Sequence, residues 1–557
     1  MSIEVVRSIG ALEELAAGWN EILLESGNRN PYLTPEWIAN WWRFYGGGKE
    51  LYVLVLADGD GLNGLCPLMV VKRRLYREIQ FIGRPQVSRM GFVARRGCEE
   101  ALIRQVMNHL MGLKDRYIFN LQGLCCEGSN YNLLKECLRG VQYAEQTIPL
   151  YQIDLAHTPQ QEFFRARKRH STIQRTFSRE RSLSRLCNLT FEKAGPGEVP
   201  VIFAIHDKRW LRKNDGNGFA KGISRRFFDH MAQHADHLPW DSEIHLLKAD
   251  GKPIGFLYGL LYRGSYTGYR IAHDDDFGLF KPGMIMVKRM IEESYAKGYE
   301  LLDFSTGYEP YKAYWTDDHV QIGSLCFGTG GLLVRVLISV RDRVYRLRQT
   351  TKKVGFLARF KRNTIGEIKY FLSGRLVADL FQGILLAWRQ KRLACLLGNR
   401  MDRDLGADTS AYRIKQEKTF GNPVTLQTLT IGDMDQIIDL TKMDGKQICK
   451  RYLDGSRCMA VTADGTPAGT IWKTNATLTL RGKTVWKPEK QGDACFYDLC
   501  LYNARSKKLC QDVLAAIGNE RIPSFACSSY VLLGKRQKKK LAQAGLHDRL
   551  ASTTEAG

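Results

Sequence analysis

Three times along the chain, an apolar run meets Ala-Asp-Gly and a second apolar run follows. The first copy is Leu51–Leu56, Ala57-Asp58-Gly59 and Leu65–Val71. The second is Ile244–Lys248, Ala249-Asp250-Gly251 and Phe256–Tyr262; the third is Cys458–Thr462, Ala463-Asp464-Gly465 and Thr470–Lys473. Strand, Asp-Gly turn, strand is the pattern of a β-hairpin, because glycine, and to a lesser extent aspartate, tolerates positive φ. The copies begin at 57, 249 and 463, so 192 and 214 residues separate them. That is repetition on the scale of a domain. It predicts modules over 1–150, 151–335 and 405–557, with 336–404 as a connector.

Around the second hairpin, periodicity predicts helices over Thr158–Leu186, Val199–Lys213, Ser224–Ala235 and Gly283–Lys297. Strands are expected over Ile244–Lys248, Pro253–Tyr262, Tyr266–Ala272 and Leu301–Phe304. Strand pairs followed by a helix and another strand make an α/β fold, with mixed sheets flanked by helices.

A chain of 557 residues is too long for one core, and 44% hydrophobic with 25% charged residues is an ordinary globular composition. Disorder is expected only over 551–557. No run reaches the roughly 18 uninterrupted apolar residues of a spanning helix, and the N-terminus lacks the basic start and apolar middle of a signal peptide. A cytoplasmic protein is expected. The 14 cysteines are scattered, Cys125-Cys126 being the one close pair, so free thiols in a reducing compartment are expected. His230, His234 and His237 fall at helical spacing, but without a carboxylate in the HExxH pattern they read as a solvated helix face, and no metal is expected.

The densest candidate chemistry lies in Tyr266–Trp315. A strand leads into the acidic loop His273-Asp274-Asp275-Asp276, then Phe280-Lys281-Pro282-Gly283, a helix, the strand ending Asp303-Phe304, and Gly307-Tyr308-Glu309-Pro310-Tyr311-Lys312. A helix that begins after a glycine offers exposed N–H groups and a positive dipole end to a pyrophosphate, and Lys281 adds charge. Pro-Gly is also simply a good helix start.

Phe280-Lys281-Pro282-Gly283, Ala296-Lys297-Gly298, Asp303-Phe304, Gly307, Glu309, Tyr311-Lys312 and Trp315 together resemble the cellulose-biosynthesis-type acetyltransferases of the GNAT superfamily. Upstream, Arg165–Arg181 is similar to their basic helix, His206 to Trp210 to their LH-x-x-RW element, and Asn30-Pro31-Tyr32 to Trp37 to their opening. The resemblance spans about residues 15 to 320, and Fem-type aminoacyl transferases share the tandem arrangement. It implies tandem GNAT-like modules joined by a basic helical connector, and an acetyl-CoA or longer acyl-CoA donor. It places the donor's pyrophosphate at Lys281, Pro282, Gly283 and Met284, and an acceptor pocket between the first two modules.

An amine or hydroxyl acceptor must lose a proton to attack a thioester, so a base is needed. Asp303 and Glu309 are the leading candidates, with His273 third. The Tyr311 hydroxyl is a donor for a developing oxyanion, and Lys312 holds an anion or fixes a carboxylate. Arg209, Trp210 and Trp315 are candidate acceptor contacts. Each has a plain structural reading as well: Asp303 capping a loop, Glu309 and Lys312 pairing with each other, Tyr311 and Trp315 as core aromatics, and Arg209 with Trp210 as a packing edge.

The third module carries Arg505-Ser506-Lys507-Lys508-Leu509-Cys510 where the superfamily has a glycine-rich acetyl-CoA loop. Side chains there obstruct a pyrophosphate, so this module is expected to be degenerate. Much of the net charge of +24 is local: Gly331 to Arg400 holds sixteen Lys/Arg against three acids. Helices with one apolar and one cationic face suit packing between modules, a linker in solvent, or peripheral contact with an anionic inner-membrane surface. Nucleic acid is not expected, except tRNA in a Fem-like alternative. The expected function is acyl transfer to a sugar, an amino acid or a lipid-linked saccharide in exopolysaccharide or cell-envelope biosynthesis. A non-catalytic scaffold in a polysaccharide-synthesis complex is the alternative from another class.

Overall fold

The computed structural model describes residues 2–59, 61–127, 129–210, 222–353, 410–414, 424–441, 443–463, 465–474, 478–480, 483–486, 494–501, 513, 529–533 and 550–552. Strands β1 (Ser2–Val6), β2 (Lys49–Asp58), β3 (Gly61–Lys72), β4 (Arg77–Phe81), β5 (Val93–Ala94), β6 (Tyr117–Cys125) and β7 (Ala144–Asp154) come first. Then follow β8 (Leu189–Lys193), β9 (Asp241–Ala249), β10 (Lys252–Tyr262), β11 (Ser265–His273), β12 (Leu301–Thr306) and β13 (His319–Thr329). They form one 13-stranded sheet in the order β1-β2-β3-β4-β6-β13-β7-β12-β11-β10-β9-β8, with β5 beside β3.

The later strands are β14 (Ser410–Ile414), β15 (Val424–Thr428), β16 (Ser456–Ala463), β17 (Thr466–Thr474), β18 (Leu478–Leu480), β19 (Lys483–Trp486), β20 (Ala494–Leu501), β21 (Ser529–Leu533) and β22 (Leu550–Ser552). A second sheet runs β15-β16-β17-β20-β21-β14-β22, and β18 pairs with β19. All three Ala-Asp-Gly segments join antiparallel hairpins: β2–β3, β9–β10 and β16–β17. The repetition goes further than the turn. In each copy the hairpin's second strand pairs antiparallel with the next strand of its sheet, and that strand pairs parallel with a later one.

The first two copies exchange strands. β7, which contains position 150, pairs with β12, whereas β13 pairs back with β6. β7 and β13 also pair with each other, so the sheet is continuous across the middle. The apolar layer is shared as well: Trp37 meets Phe227 edge-on at 5.6 Å and Trp240 at 5.9 Å.

Predicted and observed elements agree for the helices Pro282–Ala296 and Gly222–Gln233 and for β9 to β12. The long helix expected over Thr158–Leu186 is two, Gln160–Arg167 and Ser171–Ser184. His170 stands between them in extended conformation, its ring accepting the Thr172 N–H at 3.2 Å. A polar side chain that caps a new helix competes with continuation of the old one. His230 is not on a purely solvated face: it lies against His234 at 4.1 Å and Phe44 at 5.2 Å, beside a cavity of about 330 Å³.

The third copy packs on the second. Ile431 and Met434 share a core with Leu247, Ile285 and Met286. Lys208 clamps the contact, its ammonium 2.6, 2.7 and 2.9 Å from Asp274, Asp276 and Asp435. Burial opposes that charge, but the three carboxylates outweigh it and raise the lysine's pKa. These are the same acids whose oxygens come within 4.8 Å of one another, and the lysine already supplies their cation.

Of the basic connector, the helix Leu332–Lys353 is described. Val334 and Ile338 pack on Ile118, Ala144 and Cys326, and Arg341 reaches Glu78 at 3.0 Å. The rest of the connector, and the Arg505–Cys510 loop, lie outside the described residues. Among the described residues no helix is long and apolar enough to cross a membrane.

Candidate functional site where two parallel strands part

β11 and β12 are parallel neighbours only over Ser265–Leu301, Tyr266–Leu302 and Thr267–Asp303. Beyond that, β11 runs on to His273 and β12 to Thr306, and neither pairs with the other. The backbone of β12 explains the parting. Its register with β7 jumps between Asp303 and Thr306, and Ser305 and Gly307 take φ of 64° and 142°. The turn is held from inside: Asp303 Oδ1 accepts the Ser305 N–H at 2.6 Å, and Lys312 Nζ donates to the carbonyls of Ser305 and Thr306 at 3.1 and 3.0 Å. A buried ammonium thus satisfies carbonyls that a continuing ladder would otherwise pair. Gly268 permits the last close approach, since a Cβ there would sit 3.2 Å from the Asp303 carbonyl oxygen.

Asp303 is completely buried and lies 2.9 Å from Arg89 Nη2, delivered by the loop after β4. With one oxygen on a guanidinium and the other on the turn's N–H, Asp303 is a structural carboxylate at the point of parting rather than an available base. Glu309 stands half-exposed with Lys312 at 2.9 Å, so the lysine fixes a carboxylate and two carbonyls. Tyr311 lies beside Phe304, and burial pushes its phenol above the usual range, leaving a hydroxyl donor at neutral pH. Trp315 has no exposed surface and packs edge-on to Phe164 at 6.5 Å. That corrects its expected acceptor contact: it is a core aromatic.

At the far end of β11 the helix Pro282–Ala296 begins. Lys281 is exposed in the left-handed conformation, φ 54°, and Pro282 takes the first helical position. A Cβ on Gly283 would lie 3.2 Å from His273 Nδ1, so the glycine keeps the imidazole against the helix start. Arg209 meets His273 Nε2 and pairs with Asp275 at 2.9 Å. A guanidinium only donates, so Nε2 accepts and the ring hydrogen is on Nδ1, facing Gly283. His273 therefore presents a donor here, which corrects its expected role as a base. Met284 is half-buried, and its N–H goes to the Lys281 carbonyl at 2.9 Å. The Trp210 side chain lies outside the described residues.

The structure thus sorts the candidates into two groups. Arg209, His273, Lys281 and Gly283 surround the helix start, where donors and the helix dipole favour an anion. Asp303, Glu309, Tyr311 and Lys312 build the turn that ends β12. Two residues had no signal in the local sequence: Arg89, which acts through a distant carboxylate, and Arg270, a lone cation in an aromatic strand.

The sequence from 167 to 313 matches the family described as acetyltransferase (GNAT) domain. No curated protein matches the chain. Among solved structures, a conserved protein of unknown function from Bacteroides thetaiotaomicron is 13% identical, covering 58% of this chain and 100% of its own, with a TM-score of 0.40. FemX is 11% identical over 58% of this chain and 97% of its own, TM-score 0.40. A tandem GNAT protein from the clavulanic acid biosynthesis pathway is 11% identical over 59% and 100%, TM-score 0.34. Residues 167–313, which hold both groups around the parted strands, are therefore an acetyltransferase domain of the GNAT type.

Proposed function

We propose that the chain is an acyl-CoA-dependent N- or O-acyltransferase working in exopolysaccharide or cell-envelope biosynthesis. The observation that carries this reading is the parting of β11 and β12 toward a helix start ringed by Arg209, His273 and Lys281. The donor's pyrophosphate fits there: Gly283 leaves the helix start open and three donor side chains stand around it. The thioester would lie between the parted strands, where the acceptor's nucleophile displaces the thiol and gives up a proton. Glu309 is the carboxylate left for that proton, and the Tyr311 hydroxyl the donor for the oxyanion. The modules 1–150, 151–335 and 405–557 belong to the same reading, the first two sharing the acceptor pocket.

Peripheral contact with an anionic membrane is supported by the outward face of the helix Leu332–Lys353. Leu332, Val336, Val340 and Val344 are 79, 49, 49 and 41% exposed, one turn apart, with Arg335 and Arg343 exposed beside them. An apolar face edged with cations is suited to a lipid interface.

Calorimetric titration with acetyl-CoA and a longer acyl-CoA tests the proposal. Saturable binding is expected, and Gly283→Asp removes it by setting a carboxylate against the pyrophosphate and a side chain against His273. Binding of neither donor by the folded wild type rules the reading out.

A further inference from the structure

Arg270 lies on the part of β11 that has left β12, three residues past the last pair at Thr267. Its strand neighbour on the other side is Tyr258. The guanidinium lies 5.5 Å from the centre of the Tyr269 ring, which Phe228 and Tyr258 flank at 4.6 and 5.8 Å. Among the described residues no carboxylate pairs with it, and its Nε is buried without a hydrogen-bond partner. Four other basic side chains of this region are compensated. Arg225 has Asp207 at 2.5 Å, Arg209 has Asp275 at 2.9 Å, Arg89 has Asp303 at 2.9 Å, and Lys208 has three acids.

A buried donor left unmade costs stability, and a guanidinium among aromatic walls keeps most of its field. The nearby imidazole of His206 does not add to it: burial and the Arg270 charge itself hold that ring below the usual range and so neutral. Among the described residues Arg270 is thus a cation without a counter-charge beside the cleft. The planar fork of arginine matches the two oxygens of a carboxylate or phosphate.

We propose that Arg270 receives an anionic group, carboxylate or phosphate, carried by the acceptor, which makes the acceptor an acidic amine or alcohol rather than a neutral sugar. The inference rests on reading the parted strands as the site of acyl transfer. The donor's own anion belongs by Gly283, which lies against His273 and Ile271; these alternate with Arg270 along β11 and face the other side of the sheet, so the two charges are recognised separately.

The test is calorimetry on the full chain with matched probes: glucosamine 6-phosphate against glucosamine, and alanine against alaninamide. The expected result is that the member carrying the phosphate or carboxylate in at least one pair binds about 10-fold or more tightly than its partner without it, as charge-assisted hydrogen bonds give. Arg270→Gln abolishes that preference, Arg270→Lys keeps part of it, and Gly283→Asp leaves it intact. Equal binding within both pairs, no binding of either anion-bearing probe at millimolar concentration, or a preference that survives Arg270→Gln overturns the proposal. Acetyl-CoA is titrated into the same variants. An unchanged donor affinity in Arg270→Gln shows that the fold and the donor site persist. A wild type that binds the anion-bearing probe but no acyl-CoA overturns the transferase reading while leaving the anion site standing.

Discussion

The first and second copies of the fold part their parallel strands in the same place but treat the opening differently. In the first, β4 pairs with β6 over Arg77–Gln80 and then stops. Its following loop turns back across the gap: the Met90 N–H reaches the Gly123 carbonyl at 2.9 Å, and Arg84 bonds Gln122 and the Val87 carbonyl. In the second, the loop after β11 is pulled the other way, by the Lys208 clamp on Asp274 and Asp276. One loop fills the edge its strand abandons; the other leaves it open. The filled copy still serves the open one, because the loop that plugs it carries Arg89 to Asp303. Topology supplies the cleft, and the loop that follows decides whether the cleft is usable.

The largest effect expected from this contrast is on donor binding. Gly283→Asp should weaken acetyl-CoA binding about 100-fold or more by charge repulsion at a helix start. A carboxylate added at the cap of the first copy's helix, Cys98→Asp before Glu99–Met111, should leave it unchanged. Equal losses in calorimetry would mean that the first opening also binds donor. Next comes the bridge between the copies. Arg89→Met leaves the fully buried Asp303 without its cation, a change that costs about 3–5 kcal/mol in other buried pairs. The double variant with Asp303→Asn should recover much of the loss in urea denaturation. Additive losses would show that the two side chains do not act as a pair.

A third contrast concerns how the helix after each opening is anchored. Burial would raise the Glu293 carboxyl, but hydrogen bonds from His245 and Lys297 outweigh it and pull the group down to about 2. A depressed carboxyl pKa stabilises the fold above its ordinary value of 4.5, and that stability is lost as pH falls from there toward 2. With solvent screening at this partly exposed site, Glu293→Gln should therefore cost on the order of 1 kcal/mol at neutral pH, with the difference from wild type shrinking below pH 4.5. The first copy's helix has an exposed Arg104–Glu100 pair instead, and Glu100→Gln should shift the urea midpoint by nothing measurable at any pH. A Glu293→Gln deficit that persists undiminished at acid pH would remove the ion network as its cause.

These contrasts also mark what the sequence makes legible. The hairpins could be read because an Asp-Gly turn between apolar runs is local chemistry, and Gly283 because a glycine before a helix is local too. The exchange of β7 and β13 could not, since which strands pair across the sheet depends on contacts between distant segments. Arg89 and Asp303 failed for the same reason: the aspartate was visible, its buried cation was not. The misreading of His273 was subtler. Its place in the loop after β11 was visible, but only the guanidinium of Arg209 on Nε2 reveals that the ring offers a hydrogen toward the helix start. The same limit explains Trp315, whose motif position says nothing about burial.

The smallest expected effect tests the plug itself. Gly123 has φ 99°, and a Cβ there would stand 2.7 Å from the Met90 nitrogen. Gly123→Ala thus meets both a strained backbone and a loop in the way, and about 1–2 kcal/mol of stability should go. The loop can move, which keeps the cost modest, but moving it displaces Arg89, the residue before Met90. If the plug is purely structural, acetyl-CoA affinity stays at the wild-type value, and the stability loss shrinks when Arg89→Met is already present because the two changes act through one loop. If freeing the edge of β6 instead adds a second saturable donor site in calorimetry, the first copy is a closed form of the second. The difference between the two openings would then rest on that loop alone.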